Sequence, residues 1–219
     1  MEKITLHIAI LSLVWSCSTA SKDTFISVDE RVYQQSIIDN RDQTSYGIIE
    51  VGAQLWFAEN LRFITPNSIC YGIKEVNCDH TGRLYPSEEL ATVCPKGWRV
   101  PNINDWNILK HYFQNDSIHA LLDTINWRNT TGHTNASGLS LQGVGYQMEK
   151  KLFWGQGTTT ALWINQINKY DEYYHVHLYE GEGITFEKAN HTTNEIFHAH
   201  PIEDLRNRRF SIRCMCDKR

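Results

Sequence analysis

The stretch CPKGWRVPNINDW, residues 94–106, decides how the fold is interpreted, because it combines one cysteine, two prolines and two tryptophans. Three explanations suit it: a metal or redox site, a catalytic loop, or the seam of a disulfide-bonded extracellular fold. Its second half predicts the start of a helix, with Asn102 as the capping residue and Asp105 in the first turn. Trp106 and Leu109 then follow at helical spacing. The choice among the three explanations depends on the compartment and on the other cysteines.

The beginning of the chain predicts export from the cytoplasm. Residues 4–14 are mostly apolar and follow Lys3, which supplies a short positive start. This run is too short to cross a bilayer, which needs ~20 residues, so we interpret residues 1–16 as a signal peptide. The alternative is a buried N-terminal strand or helix, which Lys3 and the small residues after the run disfavour.

Two processing sites compete after this segment. LVWSC resembles a bacterial lipobox in which Cys17 is lipidated, whereas STA at residues 18–20 suits an ordinary signal peptidase. We favour lipidation of Cys17, with a polar tether over residues 17–36 and one domain over residues 37–219. This predicts a palmitate-bearing lipoprotein that is anchored to the membrane of the bacterial envelope, at the outer membrane or cell surface.

Composition limits the classes of partner and chemistry. The formal net charge is -4 and no basic cluster occurs, which argues against nucleic acid. The chain contains neither a C-x-x-C pair nor a G-x-S-x-G motif. We therefore expect no cofactor, no metal and no catalytic nucleophile.

The cysteines beyond the lipidation site predict disulfides, because an exported protein meets oxidising conditions. Cys70 and Cys78 flank the short segment CYGIKEVNC and are expected to pair with each other. Cys94 is then expected to pair near the C-terminus with Cys214 or Cys216. The opening stretch is therefore interpreted as the seam of a disulfide-bonded fold.

The remaining patterns predict an α+β domain. Residues 46–51 and 54–60 alternate as the two strands of a hairpin. Ser87 is expected to cap a short helix. Residues 173–180 and 209–216 alternate as further strands. We therefore expect two helices packed on small antiparallel sheets, with long loops and disulfide bonds.

Six segments follow one another in a characteristic order and spacing: DNRDQTSYGIIEVGAQLWFAENLR, CYGIKEVNCDHTGRLY, CPKGWRVPNINDW, GHTNASGLSLQGVGY, ALWIN and RFSIRC. Together they resemble the FISUMP domain, the Fibrobacter succinogenes major paralogous family of bacterial extracellular proteins. The resemblance covers roughly residues 37–217. Three features depart from the family pattern: Pro86-Ser87 after GRLY, Asp105 in place of glutamate, and the additional Cys216.

More distantly, the layout resembles the C-type-lectin-like fold, in which a cysteine that ends the first helix bridges to the last strand. Cys94 and Cys214 match that geometry, so the resemblance implies that they pair. We expect Cys216 to stay a thiol. Alternation also places Cys214 on the same face as Ile212, but Cys216 has the same parity, so a 94–216 bridge is the alternative. The calcium and sugar motifs of C-type lectins have no counterpart here, so the fold carries over without that chemistry.

Aromatic side chains supply the candidate binding surface. Along residues 173–179, alternation turns Val176 and Leu178 toward the core and leaves the opposite face outward. That outward face is an aromatic–histidine stripe, and two tryptophans in loop-like surroundings are further candidates for exposed ligand contacts. The candidate ligand-binding residues are Tyr173, His175, His177, Tyr179, Trp127 and Trp154.

These features predict a non-enzymatic binding or adhesion module, with a glycan or a cell-surface protein as its partner. A polysaccharide-active hydrolase or transferase is the alternative, and it needs two facing carboxylates. Glu59 is instead expected to bind backbone amides at a strand end. The pairs His175–His177 and His198–His200 could join a metal site, but packed or exposed imidazoles are favoured. A structural subunit of a surface complex is the third possibility.

Overall fold

The computed structural model describes residues 35–113, 118–167, 173–179, 197–200 and 207–218. These ranges form an α+β domain, as predicted. The strands are β1 Gln35–Asp39, β2 Thr44–Val51, β3 Gln54–Phe57, β4 Tyr146–Glu149, β5 Leu152–Trp154, β6 Thr159–Ile167, β7 Tyr173–Tyr179, β8 Phe197–His200 and β9 Met215–Asp217. The helices are α1 Glu75–Thr81 and α2 Ile103–Tyr112, with three short 3-10 helices at Tyr71–Ile73, Ser87–Glu89 and Ile118–Ala120.

The predicted hairpin forms the centre of the first sheet, whose strand order is β1-β2-β3-β9. Val51 pairs with Gln54, so the two strands are joined by a two-residue turn. Gly52 adopts a φ of 58° in that turn, a left-handed conformation that glycine adopts without strain. β1 begins at Gln35, so the end of the predicted tether is already part of the sheet.

The second half of the chain forms a sheet of order β6-β7-β8 and a two-stranded ribbon of β4 and β5. β6 and β7 are antiparallel, and Leu162 is the register partner of Val176. β8 is antiparallel to β7, with His175 opposite His198. The strand predicted at residues 173–180 is thereby confirmed.

Both main sheets are covered on their two faces, because successive strand residues enter two different apolar clusters. In β6, Leu162 belongs to the first cluster and Trp163 to the second. In β3, Trp56 enters the first cluster and Phe57 the second. Because side chains alternate across a strand, the sheets lie between the clusters. The core is therefore two layers, and few strand positions face water.

α2 begins as the sequence predicts. The side chain of Asn102 accepts a hydrogen bond from the Asp105 amide at 3.0 Å, and the Asp105 carboxylate accepts one from the Asn102 amide at 2.7 Å. This reciprocal capping box satisfies two amides at the helix start. Trp106 and Leu109 are buried in the first cluster, and Arg99 forms an ion pair with Asp105.

The two predicted disulfides are present: Cys70–Cys78 and Cys94–Cys214. The prediction that Cys216 stays a thiol is wrong, because Cys216 is disulfide-bonded. Cys216 shares the parity of Cys214 and is 4% exposed in the second cluster. Its position in the core is therefore the one that alternation assigned, and only its chemical state differs.

Local structure around residues 71–93 departs from expectation. A short helix forms where one was predicted, as the 3-10 helix Ser87–Glu89, but its N-cap is Pro86 and not Ser87, and no side chain makes a capping bond. α1 was not predicted; it begins between Cys70 and Cys78 and ends at Thr81. Along the described ranges, no helix combines the length and apolar character needed to cross a membrane.

Candidate functional site

A polar cleft of about 290 Å³ opens between α1, the chain after β3, and the loop that precedes β4. Four distant parts of the sequence meet there. Its lining residues are Ala58, Glu59, Asn60, Arg62, Asn77, Asp79, His80, Thr81, Gly82, Ile125, Asn126, Ser140, Gln142, Gln156 and Arg213. Such convergence of polar groups in one concavity marks it as the candidate site of the described residues.

The floor of the cleft is organised by a buried guanidinium. Arg213 is 1% exposed and donates hydrogen bonds to the carbonyl oxygens of Phe57 at 3.1 Å and Leu139 at 2.6 Å. It also donates to the Oδ1 atom of Asn60 at 2.9 Å. These bonds join the final segment of the chain to β3 and to the loop before β4. The floor is consequently rigid, because each contact is a hydrogen bond to a charged donor.

A glycine allows α1 to approach that floor. A Cβ atom on Gly82 would lie 2.5 Å from the Cβ atom of Asn60, and the residue has a φ of 80°. Any larger residue would therefore push α1 away from Asn60. The Nδ2 atom of Asn60 donates to the carbonyl of Thr81 at 3.0 Å, which fixes the end of the helix against the floor.

A chain of amide hydrogen bonds supports the opposite wall. Asn126 donates to Oε1 of Gln142 at 3.1 Å, and Gln142 donates to Oδ2 of Asp123 at 2.8 Å. Asp123 is fully buried, Gln142 is 8% exposed, and Asn126 is exposed at the rim. The buried carboxylate thus orients two carboxamides that face the cleft.

The carboxylate of Glu59 is held by protein groups. It forms an ion pair with Arg62 and accepts a hydrogen bond from the Gly47 amide at 3.2 Å. Arg62 in turn donates to the Ser45 carbonyl at 2.8 Å and lies over the ring of Tyr46. The prediction that Glu59 binds backbone amides is confirmed for one amide, that of Gly47 within β2.

The aromatic–histidine stripe is not exposed, so that part of the prediction is wrong. His175 is 0% exposed and His177 is 6% exposed. The ring of Phe210 lies 4.7 Å from that of His175, and the ring of Tyr146 lies 5.0 Å from that of His177. The physical reason is that the second apolar cluster covers this face of the sheet.

Tyr173 and Tyr179 end this stripe, and both are partly buried. Tyr173 packs against the second cluster, and the ring of Tyr179 lies 4.2 Å from that of His177. The predicted inward face is confirmed, since Val176 and Leu178 belong to the first cluster. None of these residues lines the cleft.

The two candidate tryptophans have opposite environments. Trp127 is 7% exposed in the first cluster, and its Nε1 atom donates to the Leu141 carbonyl at 2.9 Å. Its predicted exposure is therefore wrong, because the following loop folds over it. Trp154 is 57% exposed at the end of β5, as expected for a surface aromatic. It lies two residues from Gln156, which does line the cleft.

Burial shifts the titration of several side chains. Loss of solvation raises the pKa of Tyr46 to about 12 and that of Tyr179 to about 12. Burial, together with the neighbouring imidazole of His133, lowers the pKa of His119. The rings of His119 and His133 lie 5.6 Å apart, and Nδ1 of His133 lies 2.9 Å from the carbonyl oxygen of Asp123.

Potential metal ligands gather at one place within the described ranges, the start of α1. One ligand atom each from Cys70, Glu75 and Cys78 lies within 4.8 Å of the others. The two sulfurs share a disulfide, so neither supplies the thiolate that metal binding requires. The pair His198–His200 lies in β8, where only the backbone is described.

The cleft was not predicted from the sequence, although several of its lining residues lie in segments that the sequence analysis singles out. Asn60, Gly82, Ser140 and Arg213 all stand in segments that carry the family resemblance. The signal in the sequence was that several of these segments contain small or polar residues. Such residues do not indicate which segments come into contact in the fold.

The family model described as the Fibrobacter succinogenes major domain matches residues 49–215 of the 219-residue chain. No match was found among curated proteins or among solved structures. All the residues that line the cleft fall inside the matched range. The cleft is thus built entirely from the part of the chain that the family shares.

Proposed function

The chain belongs to the Fibrobacter succinogenes major domain family, and on that premise we propose that it is a non-enzymatic binding or adhesion module at the bacterial surface. The observation that carries the proposal is the polar cleft, with its floor fixed by Arg213 and its rim of exposed polar side chains. A preformed polar concavity binds small hydroxylated ligands with little reorganisation. A glycan is therefore the ligand class we propose.

The arrangement of carboxylates favours binding over hydrolysis. Glu59 and Asp79 are the carboxylates among the described lining residues. Glu59 is engaged by Arg62 and by the Gly47 amide. A general acid or base must be available to a substrate atom, and these contacts occupy both carboxylate oxygens of Glu59. Asp79 alone does not supply the facing pair of carboxylates that glycoside hydrolysis requires. We therefore favour a binding module over a hydrolase or transferase.

The first experiment tests binding and turnover together. The mature chain is screened on a glycan array, and any bound glycan is then incubated with the protein and checked for cleavage products. We expect retention of a glycan without turnover. Products released by the protein, and lost on Glu59→Gln or Asp79→Asn substitution, would instead establish an enzyme.

We further propose that the protein is a lipoprotein anchored through Cys17 to the bacterial envelope. Support comes from the LVWSC segment after an apolar run, both within residues 1–17. Several acyl chains are needed, because a single chain gives marginal membrane binding. Palmitate labelling and membrane partition should both disappear in Cys17→Ala.

The disulfide of Cys216 competes with this proposal, because a lipidated Cys17 carries a thioether and its sulfur cannot also join a disulfide. Peptide mapping without reduction therefore gives a second, independent readout for the anchor. A mature chain that begins at Ser21 without label, or a peptide that links Cys17 to Cys216, would contradict lipidation.

Finally, we propose a C-type-lectin-like arrangement for the domain. The supporting features are the Cys94–Cys214 bridge, which ties the segment before α2 to the segment that leads into the last described strand, and the position of α2 directly after it. An experimental structure of the domain tests the proposal. A strand order incompatible with that fold would refute it without affecting the family assignment.

A further inference from the structure

We infer that the cleft takes an uncharged, hydroxyl-rich ligand, such as the terminal residues of a neutral oligosaccharide, and binds it through side-chain carboxamides. This inference rests on the proposed function and adds the chemical class of ligand and the residues that select it. It follows from the donor set, the charge and the size of the cleft.

The donor set is dominated by carboxamides from five positions. They are Asn60, Asn77, Asn126, Gln142 and Gln156. Each carboxamide offers two N–H donors and one carbonyl acceptor, so it can both donate to and accept from one hydroxyl. A sugar hydroxyl has the same dual character. The chemistry of the walls therefore matches neighbouring hydroxyl groups.

Contacts behind the walls set the direction of these amides. Asn77 donates to the Tyr71 carbonyl at 2.8 Å, and Asn126 donates to Gln142 at 3.1 Å. One N–H of each amide is thus used by the protein, and the carboxamide plane is fixed. A fixed plane lowers the entropy cost of binding, because the side chain is already ordered before the ligand arrives.

Charge balance argues against an anionic ligand. The lining residues include two cations, Arg62 and Arg213, and two anions, Glu59 and Asp79, with His80 counted as neutral. Arg62 is paired with Glu59, and Arg213 donates to carbonyl oxygens of the floor. No net charge is left to attract a polyuronate or a sulfated sugar.

Size and lining limit the ligand further. A volume of about 290 Å³ is at the lower end of the ~300–1,000 Å³ typical of ligand pockets. Among the described residues that line the cleft, none is a phenylalanine, tyrosine or tryptophan, and Ile125 supplies an apolar contact at the rim. Binding should thus depend on hydrogen bonds to one chain end and not on stacking along a polymer.

The test uses the mature chain and calorimetric titration with neutral cello-, manno- and xylo-oligosaccharides, and with an oligogalacturonate, at low and high NaCl. We expect a neutral oligosaccharide to bind with an affinity that salt hardly changes, because no ion pair forms. The double variant Asn126→Ala/Gln156→Ala should weaken binding by about 5- to 150-fold, since two hydrogen bonds to the ligand are removed. Both residues are exposed, so the fold should survive.

The matched control is Asn104→Ala/Asn107→Ala, which removes two exposed amides of α2 that do not line the cleft. It should leave affinity unchanged. Salt-sensitive binding of oligogalacturonate that depends on Asn126 and Gln156 would overturn the neutral-ligand inference and leave the proposed function standing. If the cleft variant and the control both bind a neutral glycan as tightly as the parent chain does, the cleft is not the binding site. Failure to bind any glycan would overturn the inference and the proposed glycan ligand together.

Discussion

The two described disulfides hold regions of very different character. Cys70–Cys78 spans 8 residues and fastens α1, in which Cys78 is the one buried residue. Cys94–Cys214 spans 120 residues and joins the segment before α2 to the second apolar cluster. We call these regions the α1 wall and the core seam. The comparison teaches that the same type of bond fastens a wall of the cleft in one place and a buried core in another.

The difference follows from burial and loop length. The core seam is already packed by tryptophans and strands, and its bridge restricts a very long loop of the unfolded chain. The α1 wall has little apolar surface to hold it, yet it supplies Asn77, Asp79, His80 and Thr81 to the cleft. We therefore expect the core seam to govern folding and the α1 wall to govern ligand affinity.

The largest effect is expected from breaking the core seam. Cys94→Ala/Cys214→Ala should lower the free energy of unfolding by about 2–5 kcal/mol, because closing a loop of this length is worth ~5 kcal/mol on the chain-entropy model. Denaturant titration against the parent chain measures it. If removing this bridge lowers the free energy of unfolding no more than removing the α1-wall bridge does, the expected difference between the two regions is wrong.

Removing the bridge of the α1 wall should lower stability less than removing the bridge of the core seam, and it should lower ligand affinity more. Cys70→Ser/Cys78→Ser removes a short loop constraint worth ~2.5 kcal/mol at most, so unfolding should shift less than in the core-seam variant. Affinity for the glycan should fall strongly, since four lining residues lose their support. Titration and hydrogen exchange over residues 71–82 measure both. If the amides of α1 lose protection from hydrogen exchange while ligand affinity is unchanged, the α1 wall does not support binding.

Within the core seam, the helix cap should have an intermediate effect. Asn102→Ala removes the hydrogen bond to the Asp105 amide and should lower stability by ~1 kcal/mol. Asn104→Ala, at an exposed position of the same helix, is the control and should change stability by a few tenths at most. Equal losses in the two variants would show that the cap contributes nothing particular.

The smallest effect concerns pH and the wall opposite α1. The folded-state pKa of His119 lies below the ordinary value of 6.5, so the unfolded chain binds more protons just below that pH. Stability should therefore be full above pH 6.5 and decrease as the pH falls through that value. Urea midpoints at several pH values measure it, and His119→Gln should flatten this dependence. An unchanged slope in the variant would assign the effect to other groups.

Much of the fold could be predicted because its signals are local. The hairpin turn at Gly52, the cap at Asn102 and the spacing of Trp106 and Leu109 each depend on a few neighbouring residues. Alternation also placed Cys214 on the inner face, which is where its bridge to Cys94 requires it. α1 escaped prediction because it buries a single side chain and therefore has no apolar periodicity.

The sequence by itself determined the family, the α+β class, the Cys70–Cys78 bridge and which residues of a strand share a face. It left Cys94 with either Cys214 or Cys216 as its partner, and the structure shows the bridge to Cys214. Only the tertiary structure decided what covers each face. His175 and His177 do lie opposite Val176, but a second apolar cluster buries them. The cleft likewise exists because Arg213 meets Asn60, more than 150 residues apart in sequence. Periodicity describes one segment at a time, whereas burial and a binding site depend on which distant segments come into contact.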